Sequence, residues 1–311
     1  MPHYLGIDTG SVSANFALMD EKERLVSSLY LRTAGDPIGA VREGLKTFAS
    51  HPIARVGVTG SAREIIGLLV DADIVKNEIT AHAVAAIKLR PGVRTVIEIG
   101  GQDSKIIVIR NGVAVDFAMN TVCAAGTGSF LDHQAERLGV PIEDFGGLAM
   151  RAKSSVRIAG RCTVFAESDM IHKQAAGAGK EDIIRGLCDA LVRNYLSNVA
   201  KGKEILAPVL FQGGVAANAG MKAALERALK QEVEVPREHN IMGAIGAALL
   251  SRKADANGSN ERNAELNNLR VSTRSFDCGG CSNACEITEL KVEGRKSAYL
   301  GGRCGKWEGR D

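Results

Sequence analysis

Short apolar stretches alternate with polar or glycine-rich turns at the beginning of the chain, which is the pattern of strands joined by tight connections. The predicted strands are residues 4–7, 13–19, 25–32 and 53–59. Asp36 followed by Pro37 is typical of a helix N-terminus and predicts a helix that continues to about residue 49. Further helices are predicted at residues 61–69 and 77–89. The first part of the chain is therefore predicted to be α/β.

The same order of elements occurs a second time. The predicted strands here are residues 94–99, 104–110 and 113–119, and Asn111-Gly112 between the last two is a strong hairpin signal. In both places an acidic residue and glycines follow the first strand, and helices follow the third. Such a duplication predicts two similar α/β halves that face each other across a cleft.

The rest of the pattern completes the second half and adds a tail. Helices are predicted at residues 127–138, 167–176, 181–200, 217–230 and 240–250, with a strand at 208–211. Residues 251–268 contain few apolar side chains and many Asn, which is typical of a linker. We therefore predict a first half over residues 1–90, a second half over 91–250, a linker over 251–270 and a cysteine-rich tail over 271–311.

Composition narrows the class of protein. The chain has 311 residues, of which 45% are hydrophobic and 24% charged, as in soluble globular proteins. The net charge of +3 argues against a nucleic-acid partner, and no apolar run is long enough to span a membrane. The N-terminal sequence lacks a signal-peptide pattern, so we expect a cytoplasmic location. Seven cysteines in a reducing compartment point to metal or redox chemistry.

Two predicted turns combine glycine with a preceding carboxylate. Glycine lets backbone N–H groups approach a phosphate, and a hydrated Mg²⁺ on that phosphate prefers one or two carboxylates. The turns are Thr9-Gly10-Ser11 after Asp8 and Gly100-Gly101-Gln102 after Glu98. One such turn is a weak signal, whereas two at matching positions of a repeat predict phosphate binding.

Other residues near these turns have two interpretations each. Gly213 and Gly214 end a strand and lead into a helix start that includes Ala216 and Asn218. This third turn either receives an adenosine or α-phosphate at the helix N-terminus, or serves tight strand–helix packing. Gln102 and Asp103 are the best placed residues for water activation. Lys105 either neutralises phosphate or reflects the alternating polarity of a strand.

Three segments carry a family resemblance. GIDTGS at residues 6–11, EIGGQDSK at 98–105 and FQGGVAANAG at 211–220 are similar to the phosphate-1, phosphate-2 and adenosine motifs of the acetate and sugar kinase/Hsp70/actin superfamily. Within it, residues 98–105, 120–139, 161–169 and 243–250 resemble the ATP-dependent activators of 2-hydroxyacyl-CoA dehydratases and the ATPase subunits of benzoyl-CoA reductase. The resemblance covers about residues 3–250 and implies duplicated ribonuclease H-like, actin/Hsp70-type domains around a nucleotide cleft. Glu98 departs from the family, where Asp is common.

The resemblance also implies an iron–sulfur centre. In that family two cysteines per subunit, which match Cys123 and Cys162, hold one [4Fe–4S] cluster on the two-fold axis of a homodimer. Each precedes a predicted helix, and a helix N-terminus stabilises the anionic cluster. Without the resemblance, both would be interpreted as small buried cysteines. Cys188 lies among the apolar positions of a predicted helix and is interpreted as a core residue.

The function implied by the resemblance is ATP-driven electron transfer. A reduced ferredoxin or flavodoxin would supply the electron, ATP·Mg²⁺ would bind and be hydrolysed to ADP, and the electron would pass to a 2-hydroxyacyl-CoA dehydratase or a benzoyl-CoA reductase-like partner. Two alternatives stay open. One is a small-molecule kinase for a sugar or carboxylate, and the other is a nucleotide-gated binding module with a structural metal. Neither nucleic acid nor a membrane is an expected partner.

The tail has its own metal signal. Cys278, Cys281 and Cys285 are closely spaced, and Cys304 follows. Four such thiols suit either Zn²⁺ or a second Fe–S cluster, and their spacing does not choose between them. The segment is similar to cysteine-rich segments of larger, multidomain relatives of the activators.

Overall fold

The chain divides into two compact units. The computed structural model describes residues 2–120, 124–154, 156–160, 162–254, 271–293, 297–304 and 306–307. The first unit comprises Met1–Ala81 and Gly243–Asp311, and the second comprises His82–Met242. This division differs from the predicted boundaries at residues 90 and 250, because the last long helix belongs to the first unit.

The first unit contains a five-stranded mixed sheet. Its strands are β1 (His3–Thr9), β2 (Ser13–Met19), β3 (Leu25–Arg32), β4 (Ile53–Thr59) and β5 (Ile74–Val75). Its helices are α1 (Pro37–Phe48) and α2 (Arg63–Val70), and α3 (Glu78–Leu89) crosses into the second unit. The strand order is β3-β2-β1-β4-β5, with β1 parallel to β4 and antiparallel to β2. Asp36 caps α1 by accepting a hydrogen bond from the Gly39 amide at 2.8 Å, as the sequence predicted.

The second unit repeats this sheet. Its strands are β6 (Thr95–Ile99), β7 (Ser104–Arg110), β8 (Val113–Asn120), β9 (Val209–Gln212) and β10 (Val233–Glu234). The order β10-β9-β6-β7-β8 matches that of the first sheet strand for strand, with β6 parallel to β9 and antiparallel to β7. The predicted duplication of strand patterns is therefore confirmed at the level of topology.

Helices cover the second sheet and enclose its core. They are α4 (Gly128–Leu138), α5 (Ile142–Met150), α6 (Thr163–Ala175), α7 (Lys180–Asn198) and α8 (Ala219–Leu229). The sequence analysis omitted α5, although Pro141 and two acidic residues mark its beginning. It also placed the beginning of α6 four residues late, at residue 167; the helix begins at Thr163, directly after Cys162.

The final helix, α9 (Met242–Arg252), packs on the first sheet through glycines. β-Carbons at Gly6 of β1 and Gly57 of β4 would overlap with the Ala244 and Ala247 carbonyl groups of α9. This backbone-to-backbone packing explains why α9 belongs to the first unit. It also shows that residues 251 and 252 of the predicted linker are helical; residues 255–270 lie outside the described residues.

The tail forms a small antiparallel sheet that the sequence analysis did not predict. Its strands are β11 (Val271–Asp277), β12 (Glu286–Val292) and β13 (Ala298–Leu300), in that order. β12 and β13 contact α2, and Val271 packs against the core of the first unit. Within the described ranges, no helix is long and apolar enough to cross a membrane.

Candidate functional site

The first unit holds a carboxylate between two glycines at the end of β1. Asp8 is in register with Thr59, the last residue of β4, and Gly60 follows with a φ of +95°. A β-carbon on Gly60 would lie 2.7 Å from Asp8 Oδ1, and one on Gly243 of α9 would overlap with Oδ2. At both positions the backbone approaches the carboxylate so closely that a β-carbon would collide with it.

Two buried polar side chains, Asn15 of β2 and Thr59 of β4, lie opposite Asp8 on the neighbouring strands. Asn15 Oδ1 and the hydroxyls of Thr9 and Thr59 are buried without a hydrogen-bond partner among the described residues. Thr9, by contrast, follows Asp8 in β1 and belongs to the other face of the sheet. Since buried polar groups are normally satisfied by protein, water or ligand, the atoms of Asn15 and Thr59 favour a hydrated ion or ligand here. Beside them, the Gly10 amide donates to the Ser13 carbonyl at 2.9 Å and closes the predicted phosphate turn, where Ser11 is exposed.

The second unit repeats the arrangement with a glutamate. Glu98 is in register with Gln212, the last residue of β9, and Gly213 follows with a φ of +91°. A β-carbon on Gly213 would lie 2.6 Å from Glu98 Oε1. The Gly100 amide donates to the Asp103 carbonyl at 3.0 Å and closes the turn as in the first unit. Gly60 and Gly213 are thus equivalent residues of a duplicated site.

Sequence reasoning identified Gly213 but missed Gly60 and Gly243. Gly60 directly follows the predicted strand 53–59, as Gly213 follows the strand 208–211. An alignment of strand 53–59 with strand 208–211 would have identified Gly60 as the equivalent of Gly213. Gly243 carried no such signal, because its approach to Asp8 depends on the packing of α9.

Lys105 distinguishes the second site from the first. It is the cross-strand neighbour of Glu98, and its ammonium lies 2.9 Å from Glu98 Oε2 and 2.8 Å from Asp103 Oδ1. The side chain is only 2% exposed. Strand alternation does not explain it, because Ser104–Ile109 of β7 are all buried; that interpretation was wrong. The ammonium is engaged by two carboxylates.

A buried polar layer surrounds this ion pair. The Tyr195 hydroxyl donates to the Lys105 carbonyl at 2.8 Å, and Gln212 Nε2 lies 2.7 Å from His82 Nδ1. Burial, and then the positive charge of Lys105, lower the pKa of His82 to about 3. Burial, and then the Glu98 carboxylate, raise the pKa of Tyr195 well above its ordinary value. Both side chains are therefore neutral at physiological pH.

The predicted phosphate turn of the second unit is anchored to α4. The amides of Gly128 and Ser129 donate to the carbonyls of Gly100 and Gly101, each at 2.8 Å. Gln102 at the tip of the turn is exposed. The anchoring fixes the turn while it leaves the Gln102 side chain accessible to a ligand.

The third glycine turn, at Gly213 and Gly214, is packed against its neighbours at some residues and open to solvent at others. The Gly213 amide donates to the His239 carbonyl at 2.7 Å, and a 3₁₀ turn over Gly214–Ala217 follows. Gly214 is exposed and Ala216 is buried. Asn218 accepts from the Met221 amide at 3.1 Å and thereby caps α8. Of the residues predicted for adenosine, Gly214 is thus the most accessible, whereas Asn218 already serves the helix.

Cys162 lies at the beginning of α6 with its thiol half-buried. Its side chain makes no capping hydrogen bond to the helix amides. A helix N-terminus stabilises a thiolate, so this position fits a cluster ligand. Cys123 lies outside the described residues. Cys188 is buried, and burial raises the pKa of its thiol to about 12, which agrees with its predicted place in the core.

The segment before Cys162 is held by α6 and α7. The Asn194 side chain donates to the Gly160 carbonyl at 2.6 Å, and the Asp169 carboxylate accepts from the Ala159 amide at 2.9 Å. A β-carbon at Gly160 would lie 2.9 Å from the Ala190 carbonyl oxygen. This close packing fixes the chain that leads to the cysteine.

The tail thiols are not gathered into a ready ligand set. Cys278 is buried, and its sulfur accepts a hydrogen bond from Trp307 Nε1 at 3.2 Å. The Cys278 amide donates to the Cys285 carbonyl at 2.8 Å, whereas Cys281 and Cys304 are exposed. In the part of the chain that the structure describes, no three Cys, His, Asp or Glu side chains converge as metal ligands.

Comparison with known proteins gives the family. The chain is 37% identical over 257 residues to the (R)-2-hydroxyglutaryl-CoA dehydratase activating ATPase of Acidaminococcus fermentans, a match that covers 81% of this chain and 98% of the relative. It is 34% identical to the 2-hydroxyisocaproyl-CoA dehydratase activator of Clostridioides difficile, over 79% of this chain and 94% of the relative.

Solved structures agree. The structure of component A of the Acidaminococcus fermentans (R)-2-hydroxyglutaryl-CoA dehydratase superposes with a TM-score of 0.76 at 35% identity, over 81% of this chain and 98% of that one. A ROK family glucokinase from Streptomyces griseus has a TM-score of 0.54 at 14% identity, over 81% of this chain and 99% of that one, which shows a shared fold alone. The model of the BadF/BadG/BcrA/BcrD ATPase family matches residues 5–251, and the chain belongs to this family.

Proposed function

We propose that this protein is a homodimeric, ATP-hydrolysing iron–sulfur activator. In this proposal it delivers a low-potential electron to a 2-hydroxyacyl-CoA dehydratase or a benzoyl-CoA reductase-like enzyme. The observation that carries the proposal is the identity of 37% with a dehydratase-activating ATPase over 98% of that relative's length. The glucokinase likeness is limited to the fold, so the kinase alternative has weaker support.

The glycine turns of both units would bind ATP·Mg²⁺. Backbone amides of glycine turns are suited to phosphate oxygens, and a carboxylate near them is suited to hydrated Mg²⁺. Asp8 is the better placed of the two acids, because its cross-strand neighbour is the neutral amide of Asn15, whereas the cross-strand neighbour of Glu98 is the Lys105 ammonium. The residues proposed for nucleotide are Asp8, Thr9, Gly10, Ser11, Glu98, Gly100, Gly101, Gln102, Gly213, Gly214, Ala216 and Asn218.

Water activation is assigned to the turn after Glu98. The exposed amide of Gln102 would orient the attacking water. Asp103 shares the turn, but one of its carboxylate oxygens is engaged by Lys105. Gln102 is therefore the stronger candidate of the pair.

Cys123 and Cys162 would hold a [4Fe–4S] cluster, which supplies one-electron chemistry at low potential when bound. Two cysteines provide half of the usual four ligands, so a second copy of the chain would supply the rest. The positive end of α6 would stabilise the Cys162 thiolate. A ferredoxin or flavodoxin would be the electron donor.

Exposed apolar residues support a homodimer near Cys162. Val164 and Phe165, in the first turn of α6, are 66% and 67% exposed. Val115 and Phe117 on the edge strand β8 are also exposed. Each of these two apolar pairs is of the kind found in protein interfaces, and the pair on α6 lies directly after Cys162.

The test is anaerobic purification of wild type, Cys162→Ser and the matched control Cys188→Ala. We expect a brown dimer whose electron paramagnetic resonance signal changes when ATP is added, with the iron lost in Cys162→Ser and kept in Cys188→Ala. Iron content, sedimentation and the spectrum are measured on the same samples. Wild-type protein that is monomeric, or that contains no iron, would overturn the proposal.

The tail thiols are proposed as a second metal site, for Zn²⁺ or an Fe–S cluster. Its support is the spacing of Cys278, Cys281 and Cys285 and the Trp307 N–H group directed at the Cys278 sulfur. N–H donors to sulfur commonly surround metal-bound thiolates. Ligand binding would have to bring the exposed Cys281 and Cys304 closer to Cys278.

A further inference from the structure

The duplicated sites differ in one cross-strand position. Asp8 of β1 faces Asn15 of β2, and the equivalent Glu98 of β6 faces Lys105 of β7. Residues directly opposite in an antiparallel pair have neighbouring side chains. The second unit therefore has a buried cation at the position where the first has an amide.

The position of the Lys105 ammonium determines how the Glu98 carboxylate is oriented. Lys105 Nζ contacts Glu98 Oε2 at 2.9 Å, so the other oxygen, Oε1, is directed at the glycine turns. β-Carbons on Gly213 and Gly100 would lie 2.6 Å and 3.3 Å from Oε1. Glu98 Oε1 thus lies close to the backbone of the second and third turns, and the lysine holds the other carboxylate oxygen.

The same ammonium holds the second turn through Asp103. Asp103 Oδ1 lies 2.8 Å from Lys105 Nζ, and the Asp103 carbonyl closes the turn to the Gly100 amide. The Tyr195 hydroxyl from α7 fixes the Lys105 backbone at its carbonyl oxygen. Lys105 is thereby tied to two carboxylates and to one helix.

Titratable groups from several elements face this cluster. Glu98 faces it from β6, Asp103 from the turn, Tyr195 from α7 and His82 from α3, and Gln212 of β9 contacts His82. Tyr195 and His82 are neutral near pH 7, so the charges of the cluster are one ammonium and two carboxylates. Without the ammonium, the buried Glu98 carboxylate would have no cation beside it and would lie near the negative charge of the partly exposed Asp103, so Glu98 would retain a proton more readily.

We propose that Lys105 is a positioning residue that fixes the second and third glycine turns by holding Glu98 and Asp103, and that it does not bind phosphate. The positioning role of Lys105 stands by itself, whereas its consequence for nucleotide binding rests on the proposed function. It replaces the expectation that Lys105 neutralises phosphate. The lysine acts through the two carboxylates, which set the spacing of the turn amides.

The first test uses the nucleotide-free protein, so it does not depend on the proposed function. The variants are Lys105→Met, Lys105→Arg and Lys105→Met/Glu98→Gln, with Lys203→Met as the control for a surface lysine that pairs with Asp116. The thermal unfolding midpoint is measured from pH 8 to pH 5.5. In Lys105→Met a carboxyl group acquires a pKa above its unfolded value, so the folded state gains protons as the pH falls.

We therefore expect the midpoint of Lys105→Met to be lowest at pH 8 and to recover toward pH 5.5. The double variant lacks one carboxylate, and its pH dependence should return to that of wild type. Lys105→Arg should keep the wild-type profile because it retains the charge. A wild-type pH dependence in Lys105→Met would overturn the proposal, as would a double variant as pH-sensitive as the single one. If Lys105→Met does not fold, the double variant and Lys105→Arg decide the question.

The second test measures ATP binding with a fluorescent analogue in the presence of Mg²⁺. We expect Lys105→Met to lose about tenfold or more in affinity, in line with the cost of losing a charged hydrogen bond. Lys105→Met/Glu98→Gln should regain most of that loss, because a neutral pair restores the turns. A phosphate ligand predicts no recovery, because the cation is still missing. Wild-type protein that does not bind ATP would refute the proposed function and leave the pH test of Lys105 intact.

Discussion

The two units place the same backbone around carboxylates of different electrostatic surroundings. In each, a glycine with φ near +90° follows a parallel strand and lies against an acid on the neighbouring strand. In the first unit Asn15 faces the acid, and in the second Lys105 neutralises it. The duplication preserved the turn geometry while the side chains diverged. We propose that the two acids have different roles, with Asp8 binding the metal ion and Glu98 holding the turns.

Neutralising each acid separately should show the largest difference between the two units. We expect Asp8→Asn to lower the rate of Mg²⁺-dependent ATP hydrolysis by about a hundredfold to a thousandfold, because a metal-binding carboxylate contributes several kcal/mol to the transition state. Glu98→Gln should lower the rate by less than about tenfold, since that carboxylate is engaged by Lys105. Initial rates at saturating ATP measure both.

Glu204→Gln is the control, because Glu204 is an exposed acid paired with Arg110 on the surface. Its rate should equal that of wild type. Equal losses in Asp8→Asn and Glu98→Gln would contradict the assignment of different roles to the two acids.

Substitution of Gly60 and Gly213 tests whether the glycine turn beside the acid contributes equally to the stability of both units. Gly60→Ala and Gly213→Ala combine a positive φ with overlap on a backbone carbonyl, and each should lower the free energy of unfolding by about 3 kcal/mol. Gly92→Ala is matched in φ, at +83°, but its β-carbon would meet nothing within 4 Å. Gly92→Ala should lower the free energy of unfolding by about 1 kcal/mol.

Urea unfolding of the three variants separates backbone strain from steric overlap. A cost at Gly60 or Gly213 no greater than that at Gly92 would mean that the close approach to the acid is relieved by movement of the chain.

The smallest expected effect concerns pH and the second unit. His82 is buried and neutral, with a pKa lowered to about 3, whereas an unfolded histidine takes up a proton near pH 6.5. Protons therefore favour the unfolded chain between these values, and stability should fall as the pH decreases from 6.5 toward 3. From pH 7 to pH 5 this group accounts for about 2 kcal/mol.

His82→Gln should remove that portion of the pH dependence, whereas His133→Gln, at an exposed position, should leave it unchanged. Urea midpoints at pH 7 and pH 5 provide the measurement. If the loss of stability between pH 7 and pH 5 is the same in His82→Gln as in wild type, His82 is protonated in the folded protein and the expectation is wrong.

Local patterns predicted most of the scaffold. Strand 53–59 and strand 104–110 have the predicted bounds, because apolar runs bounded by turn residues define short strands well. The helix cap at Asp36 and the glycine turns also depend on neighbours in sequence. Helix α5 was missed although its signals were local.

The pairings within the site could not be predicted in this way. His82 and Gln212 are 130 residues apart, so their contact follows from the fold. Lys105 and Glu98 lie on adjacent strands of one hairpin, and their pairing follows from its register and from burial. The approach of Gly243 to Asp8 depends on how one helix packs against a sheet. Strand periodicity assigns a face to a residue, but it does not name the residue that lies opposite.

The hydrogen bond from Trp307 to Cys278 gives the tail a built-in optical signal. Trp307 is the only tryptophan of the sequence, and its ring lies 5.1 Å from that of Phe276 and 5.2 Å from that of Tyr299, measured between centroids. Its emission therefore arises entirely beside the buried thiol. Oxidation of the Cys278 sulfur, or its binding to a metal ion, would change the tryptophan fluorescence of the unlabelled protein. The chemistry of the tail can therefore be followed through this one residue.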